Sequence, residues 1–412
     1  MNEALVALAQ KAEARCAGRF AEIDRIALIN TEKVLAAFAE ERVQVGDFSG
    51  TTGYGYDDTG RDKLERIYAR VFGTESALVR TTFVNGTHAI ACAMFACVRP
   101  GQTLLSITGG VYDTLETVVG KRGNVPGSFA DYGIGFREVP LRGGAPDLPA
   151  ILEAVKQPDV AAVFIQRSRG YGIRKTLSPR EIGALCAAVK EVRPDIVAMV
   201  DNSYGEFVCE DEPVALGADL MAASLIKNPG GGLAPCGGYV AGKAELVERA
   251  AARMTLPGIG GECGATLDVN RLLYQGFFLA PHVAAQAVKT EAFCAAVMEE
   301  LGYTVSPSSH EPRYDIIQTI DFGAPQPLID FCGGLQSASP VDSFAAPVPG
   351  DMPGYEDPVI MAAGAFIQGS SIELSCDAPM RPPFTCYLQG GLTYEAGKLG
   401  ILRAAERMME KP

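Results

Sequence analysis

The chain has 412 residues, more than one hydrophobic core usually spans, so a large domain and a smaller one are expected. Apolar residues make up 48% of it and charged residues 21%, the balance of an ordinary soluble globular protein. A net charge of −13 argues against nucleic acid or an anionic membrane as partner, since both need a basic face.

Residue types narrow the field further. The three histidines, His88, His282 and His310, are too few for a histidine-built zinc site, so no metal is expected. The eleven cysteines are odd in number and show no C-x-x-C spacing, which reads as reduced thiols. The N-terminus is amphipathic and charged, unlike a signal peptide, and no apolar run approaches membrane-spanning length. A cytoplasmic location is expected.

In chain order, residues 2–45 place apolar side chains at helical spacing and predict two or three helices. A Gly/Tyr-rich loop, GDFSGTTGYGYDDTGRDKLE, leads into an amphipathic helix over 61–72. From about 76 to 245, the short apolar runs SALVRT, TLLSIT, AAVFIQ, IVAMVD, DLMAAS and GGYVAG alternate with helical stretches at 86–97, 112–120, 147–156 and 179–192. Ser178, Pro179 and Glu181 form an N-terminal signature for the last of these. Continuous apolar strands separated by helices predict an α/β fold whose largely parallel sheet is buried on both faces. A helix over 288–301 and the strands YDIIQTIDF and SSIELSC suggest a smaller α+β C-terminal domain. The expected division is a helical segment over 1–50, a large α/β domain over 51–288 and a small domain over 289–412.

Three strand ends carry chemistry, and ligands collect at the carboxyl edge of such a sheet. The strand Ile196–Val200 stops at Asp201, a carboxylate that needs a cationic partner such as a protonated pyridine nitrogen; an N-cap or loop aspartate is the plainer reading. The run DLMAAS delivers Ser224 and then Lys227 ahead of a glycine-rich stretch. Desolvation keeps an amine there nucleophilic toward an aldehyde, although a lysine snorkelling to solvent has the same pattern. Asn85-Gly86-Thr87 lies between a strand and an Ala-rich helix, an anion site at a helix N-terminus.

Taken together, in this order, these segments resemble the pyridoxal-phosphate-dependent cystathionine γ-synthase/methionine γ-lyase family, of the aspartate-aminotransferase fold. The likeness is greatest to the branch labelled aluminium-resistance proteins or cystathionine β-lyases. It spans nearly the whole chain through TTGYGYDDTGRDKLE, VNGTHAI, IQRSRGYGIR, VDNSYGE, SLIKNPGGGLAPCGGYV, LYQGFFLAPH and GSSIELSCDAPMRPP. The resemblance implies pyridoxal phosphate carried on Lys227, which also moves the substrate's α-proton. It implies Asp201 on the ring nitrogen, and Gly86, Thr87 and Ser224 on the phosphate. Tyr112, ahead of His88, would stack on the ring. Tyr54 and Tyr56 would reach a neighbouring subunit's phosphate, making a homodimer or homotetramer with shared sites. Gln166 and Arg169 are candidates for the cofactor ring or the substrate, and PGIGGECGAT for a mobile loop. The family's arginine before an L-S strand is replaced by Glu373 in SIELSC, which leaves Arg381 as the candidate for the substrate carboxylate.

The function implied is a carbon–sulfur lyase acting on a sulfur-containing amino acid by β- or γ-elimination. Transamination or retro-aldol cleavage on the same scaffold remains an alternative, as does a cofactor-bearing protein with little turnover.

Overall fold

A computed structural model describes residues 3–170, 172, 174–351 and 357–410. After α1 (Glu3–Glu40) and α2 (Thr59–Phe72) the chain runs through β1 (Ser76–Arg80), α3 (Gly86–Cys97), β2 (Thr103–Ser106) and α4 (Asp113–Val118). It continues through β3 (Gly135–Glu138), α5 (Leu148–Ala154), β4 (Val160–Gln166), α6 (Pro179–Val192) and β5 (Val197–Asp201). Strands β6 (Leu220–Ser224) and β7 (Gly238–Gly242) lead to α7 (Ala244–Met254) and the long α8 (Asn270–Glu300). The rest is β8 (Thr304–Ser306), β9 (Ile317–Asp321), α9 (Pro325–Ser337), β10 (Val359–Ala363), β11 (Ser375–Pro379), β12 (Thr385–Gln389) and α10 (Tyr394–Met409).

Seven strands form one sheet in the order β1-β7-β6-β5-β4-β2-β3, with β7 alone running against the rest. Both faces are covered. Along β4, Val163 and Ile165 enter one core while Ala162 and Phe164 enter the other, and β5 repeats this with Ala198 and Val200 against Met199. The apolar runs of the sequence are therefore the buried strands. Strand β3 escaped that reading because it is a half-exposed edge with no apolar run.

The second sheet is antiparallel, in the order β10-β11-β12-β9-β8. Here SSIELSC departs from expectation, since β11 begins only at Ser375. Glu373 is buried and accepts the N–H groups of Phe366 and Ile367 at 2.8 and 3.0 Å, which ties 370–374 into a turn. Cys376 and Cys386, on β11 and β12, bring their sulfurs together with Cα atoms 6.4 Å apart.

Helix α1 is one unbroken element rather than two or three. No proline interrupts it, and it buries Leu5, Ala9, Ala12 and Cys16 in the small-sheet core but Val34 and Ala37 in the large-sheet core. Its neighbour α8 starts at Asn270 and runs through Pro281, so residue 288 falls inside a helix. The proline forfeits a helical hydrogen bond, but buried side chains on both sides hold the helix through it. Among the described residues, no helix is long and apolar enough to cross a membrane.

Helix α8 also fixes the loop after Lys227. A Cβ at Gly276 would stand 2.2 Å from the Gly230 carbonyl oxygen, and one at Gly231 would stand 2.2 Å from the Gly276 oxygen. Backbone therefore packs on backbone, and the glycines of NPGGG are what permits it. Gly276→Ala should force the two apart and destabilise the fold by about 1–3 kcal/mol. A thermal melt matching that of the unsubstituted protein would contradict this packing.

Candidate active site

Strands β4, β5 and β6 lie side by side and in parallel, with Gln166 opposite Asp201 and Asp201 opposite Ala222. Their carboxyl ends thus present one polar side chain after another at a common edge. A cavity of about 60 Å³ at that edge is walled by Thr87, Tyr112, Gln166, Asp201 and Lys227 from five separate segments. Thr114, Ser203 and Tyr204 also line it, and none of these three was singled out from sequence.

The carboxylate and the amine are held differently. Asp201 is 5% exposed, and its Oδ1 accepts the N–H of Ser203 at 3.0 Å. Lys227 Nζ stands 3.9 Å from the centre of the Tyr204 ring, within cation–π range. Tyr204 has φ +72, left-handed backbone that costs on the order of 1 kcal/mol or more in a bulky residue. Its hydroxyl lies 3.3 Å from Ser371 Oγ, beyond the large sheet. Asn228, fully buried next to Lys227, donates to the carbonyls of Tyr204 and Glu206 at 3.0 and 2.9 Å, locking the two loops together.

The opposite end of the site is built by helix α3. Asn85 caps it, accepting the His88 N–H at 2.9 Å, so the first-turn N–H groups face the edge of the sheet. A Cβ at Gly86 would come within 2.7 Å of Ser224 Cβ, so glycine lets the helix start meet the end of β6. Thr87 Oγ1 lies 3.0 Å from Thr114 Oγ1, pairing hydroxyls from α3 and α4. Ser224 Oγ has a long contact to the Gly237 carbonyl at 3.4 Å.

Other expected residues stand elsewhere. The His88 ring turns back on its own loop, accepting the Val84 N–H and packing edge-on against Phe83, whereas Tyr112 stands in the cavity wall with Tyr204. Burial, reinforced by the charge of Arg253, pushes the His88 imidazole below its usual range. Tyr54 and Tyr56 are 74% and 51% exposed, stacked on each other at 5.6 Å, and line no part of their own chain's Lys227 cavity.

A larger cavity, of about 380 Å³, adjoins the small one and shares Tyr112, Gln166 and Gly170 with it; a third, of about 800 Å³, borders the second rather than the first. Arg169, Arg174 and Arg381 line both of the larger ones. Arg381 is half exposed and paired with Asp357 at 3.3 Å. Burial draws the Arg174 guanidinium down to about 10, opposed by Asp201 and Asp315 and aided by Arg169. Gln166 Oε1 is buried with no hydrogen-bond partner among the described residues.

A family model for methionine gamma-lyase matches residues 5–409. The uncharacterized protein YnbB of Bacillus subtilis (strain 168) is 49% identical over 412 residues, covering 100% of this chain and 98% of its own length. The crystal structure of a carbon-sulfur lyase involved in aluminum resistance from Clostridium novyi NT has a TM-score of 0.95 at 48% identity, covering 99% of this chain and 96% of that one. The pyridoxal-5'-phosphate dependent protein YhfS from Escherichia coli shares the fold at a TM-score of 0.62 and 17% identity, covering 95% and 97%. The fold implied by the sequence motifs is the one observed.

Behind the strand ends lies a second polar layer. Arg167, 0% exposed, donates to Asn202 Oδ1 at 2.7 Å and Glu212 Oε2 at 3.1 Å. Glu206, equally buried, accepts the Tyr239 hydroxyl at 2.8 Å, and its other oxygen has no partner among the described residues. Burial, together with the charge of Glu212, pushes the Glu206 carboxyl up to about 8. Between the ordinary carboxylate value and about 8 the folded chain keeps a proton that the unfolded chain has released, so stability falls as pH rises through that window. Glu206→Gln should remove this dependence and flatten the pH profile of urea unfolding by up to about 1.4 kcal/mol per pH unit. Parallel profiles for the two proteins would show that Glu206 is already ionised.

Proposed function

The chain belongs to the methionine γ-lyase family, and from that membership we propose a pyridoxal-phosphate-dependent carbon–sulfur lyase that acts on a sulfur-containing amino acid. The observation that carries this reading is the meeting of Lys227, Asp201 and Tyr112 in one cavity at the carboxyl edge of a parallel sheet.

Three features of the chain fit the cofactor. The α3 N-terminus offers N–H donors to a phosphate where Gly86 brings it against Ser224, with the Thr87 and Thr114 hydroxyls beside it. Asp201, nearly buried, suits a pyridinium proton. Gln166, which lines the same cavity, has a buried side-chain oxygen without a partner among the described residues. Bound there, pyridoxal phosphate supplies an electron sink for the pair left when a substrate α-proton departs.

The chain's own residues supply the remaining functions. Lys227 Nζ would hold the cofactor and is the amine placed to take the α-proton of a substrate. Asp201 keeps the proton on the ring nitrogen. Tyr112, in the cavity wall, would give the cofactor ring an aromatic surface to pack on. Elimination with uptake of one water yields a thiol, ammonia and a keto acid. Tyr54 and Tyr56, exposed and stacked, complete the phosphate site of a second copy of the chain, so the active unit is a homodimer or a homotetramer.

The purified protein should show a visible absorbance band that shifts on titration with L-cystathionine and should release a thiol without an added keto acid. Lys227→Ala should lack the band and lose about 10²–10⁴-fold in turnover. A protein that shows no band after addition of pyridoxal phosphate would leave Lys227 an ordinary lysine. Transfer of the amino group to a keto acid, with no thiol, would make it an aminotransferase instead.

A further inference from the structure

Arg169 follows the carboxyl end of β4 and is 6% exposed. Of the five N–H donors of a guanidinium, two are engaged, and only by neutral hydroxyls: Nη1 donates to Thr319 Oγ1 and Nη2 to Ser306 Oγ, each at 3.1 Å. Its Nε is buried without a partner among the described residues. Among the described residues no carboxylate pairs with it. Removing a full charge from water costs far more than two hydroxyl dipoles return, and buried guanidinium groups are ordinarily answered by an anion.

The arginines beside it do not supply one. Arg174 donates to the main-chain carbonyls of Thr108 and Ser168, and its positive charge opposes that of Arg169. Arg381, in the same walls, is half exposed and already has Asp357. Arg169 lines both outer cavities, and the nearer of these shares three wall residues with the cavity at Lys227. An uncompensated, pre-positioned fork therefore stands beside the approach to the amine.

We propose that Arg169, rather than Arg381, anchors the carboxylate of the amino-acid substrate, receiving it on Nε and the adjacent terminal nitrogen. A planar carboxylate matches that edge with two parallel hydrogen bonds. Thr319 lies on β9 and Ser306 on β8, so the small sheet braces a cation that the large sheet supplies. Substrate binding then draws on both parts of the chain at once. That the ligand is an amino acid rests on the proposed lyase reading; the carboxylate site itself stands on the guanidinium.

Calorimetric titration with 3-(methylthio)propionate, an amine-free carboxylate, and with its amide reads the site without needing the cofactor. The unsubstituted protein should bind the carboxylate, and the amide at least about 30-fold more weakly. Arg169→Gln should bring the two within about threefold, and Arg169→Lys, which keeps the charge without the fork, should fall between. Melting curves report whether the variants fold, and Arg169→Lys carries the test if Arg169→Gln does not. In the cofactor-loaded protein the same preference should appear as a spectral response to L-alanine over L-alaninamide, lost in Arg169→Gln. Discrimination that is absent from the unsubstituted protein, that survives in Arg169→Gln, or that is lost in Arg381→Gln instead, overturns the assignment. Discrimination through Arg169 in a protein with no cofactor band would sink the lyase reading and uphold the carboxylate site.

Discussion

The active edge of the sheet leans on a guanidinium that no solvent reaches. Arg167 sits one residue past the end of β4, and burial works against its charge. Glu212 answers it, Asn202 accepts from the same nitrogen, and Cys209 Sγ lies 3.5 Å from the other. A buried ion pair of this kind adds little net stability, but removing one partner is severe, because the other is left charged and dry. Its consequence is positional. Asn202 directly follows Asp201, so the strand-end carboxylate inherits the rigidity of the pair behind it. Gly205 belongs to the same arrangement, since a Cβ there would stand 2.3 Å from Arg167 Nη1. The turn that carries Ser203 and Tyr204 can wrap the guanidinium only because that residue is glycine.

From this layer the constraints run outward to the small sheet. Ser168 donates to Asp315 at 2.9 Å, Arg169 reaches Thr319 and Ser306, and Tyr204 meets Ser371. The loop after β4 is thus fastened behind to the large-sheet core and in front to residues more than a hundred positions later. Helices α1 and α8 do the same on a larger scale, each contributing to both cores. The site lies on a seam whose two sides are joined by long helices and by polar contacts. Apolar burial holds each side together and also crosses the seam, where Val208 shares a cluster with Ile316 and Ile372, while the hydrogen bonds fasten the seam at the site itself.

Much of this was legible in the residues. A strand buried on both faces reads as an apolar run, and its first polar residue marks where it leaves the core, which is how Asp201, Ser224 and Lys227 declared themselves. The Asn85-Gly86-Thr87 start of α3 was legible for a similar reason, because cap chemistry is local. What stayed hidden depends on partners distant in sequence. Arg169 could be placed near the site, but not known to lack an anion until Thr319 and Ser306 were seen to be its only side-chain partners among the described residues. Tyr204 gave no signal, since nothing local announces a left-handed tyrosine. The full lengths of α1 and α8 were missed because tertiary packing, which no periodicity window contains, carries them past weak stretches and a proline.

The geometry of Lys227 and Tyr204 bears on the chemistry. A π face attracts a cation but offers no proton acceptor, so the amine is held in place without being bound to a carboxylate. A lysine paired with Asp201 would instead neutralise the one acid at the end of β5, and neither group would remain available to a ligand. The ring thus keeps amine and carboxylate apart within a single cavity. The cost is a strained backbone at Tyr204, offset by Asn228 taking its carbonyl and Ser371 meeting its hydroxyl. Strain held in this way is stable only while both loops are in register. Any change that loosens Asn228 should therefore disturb the position of Lys227 before it disturbs the fold.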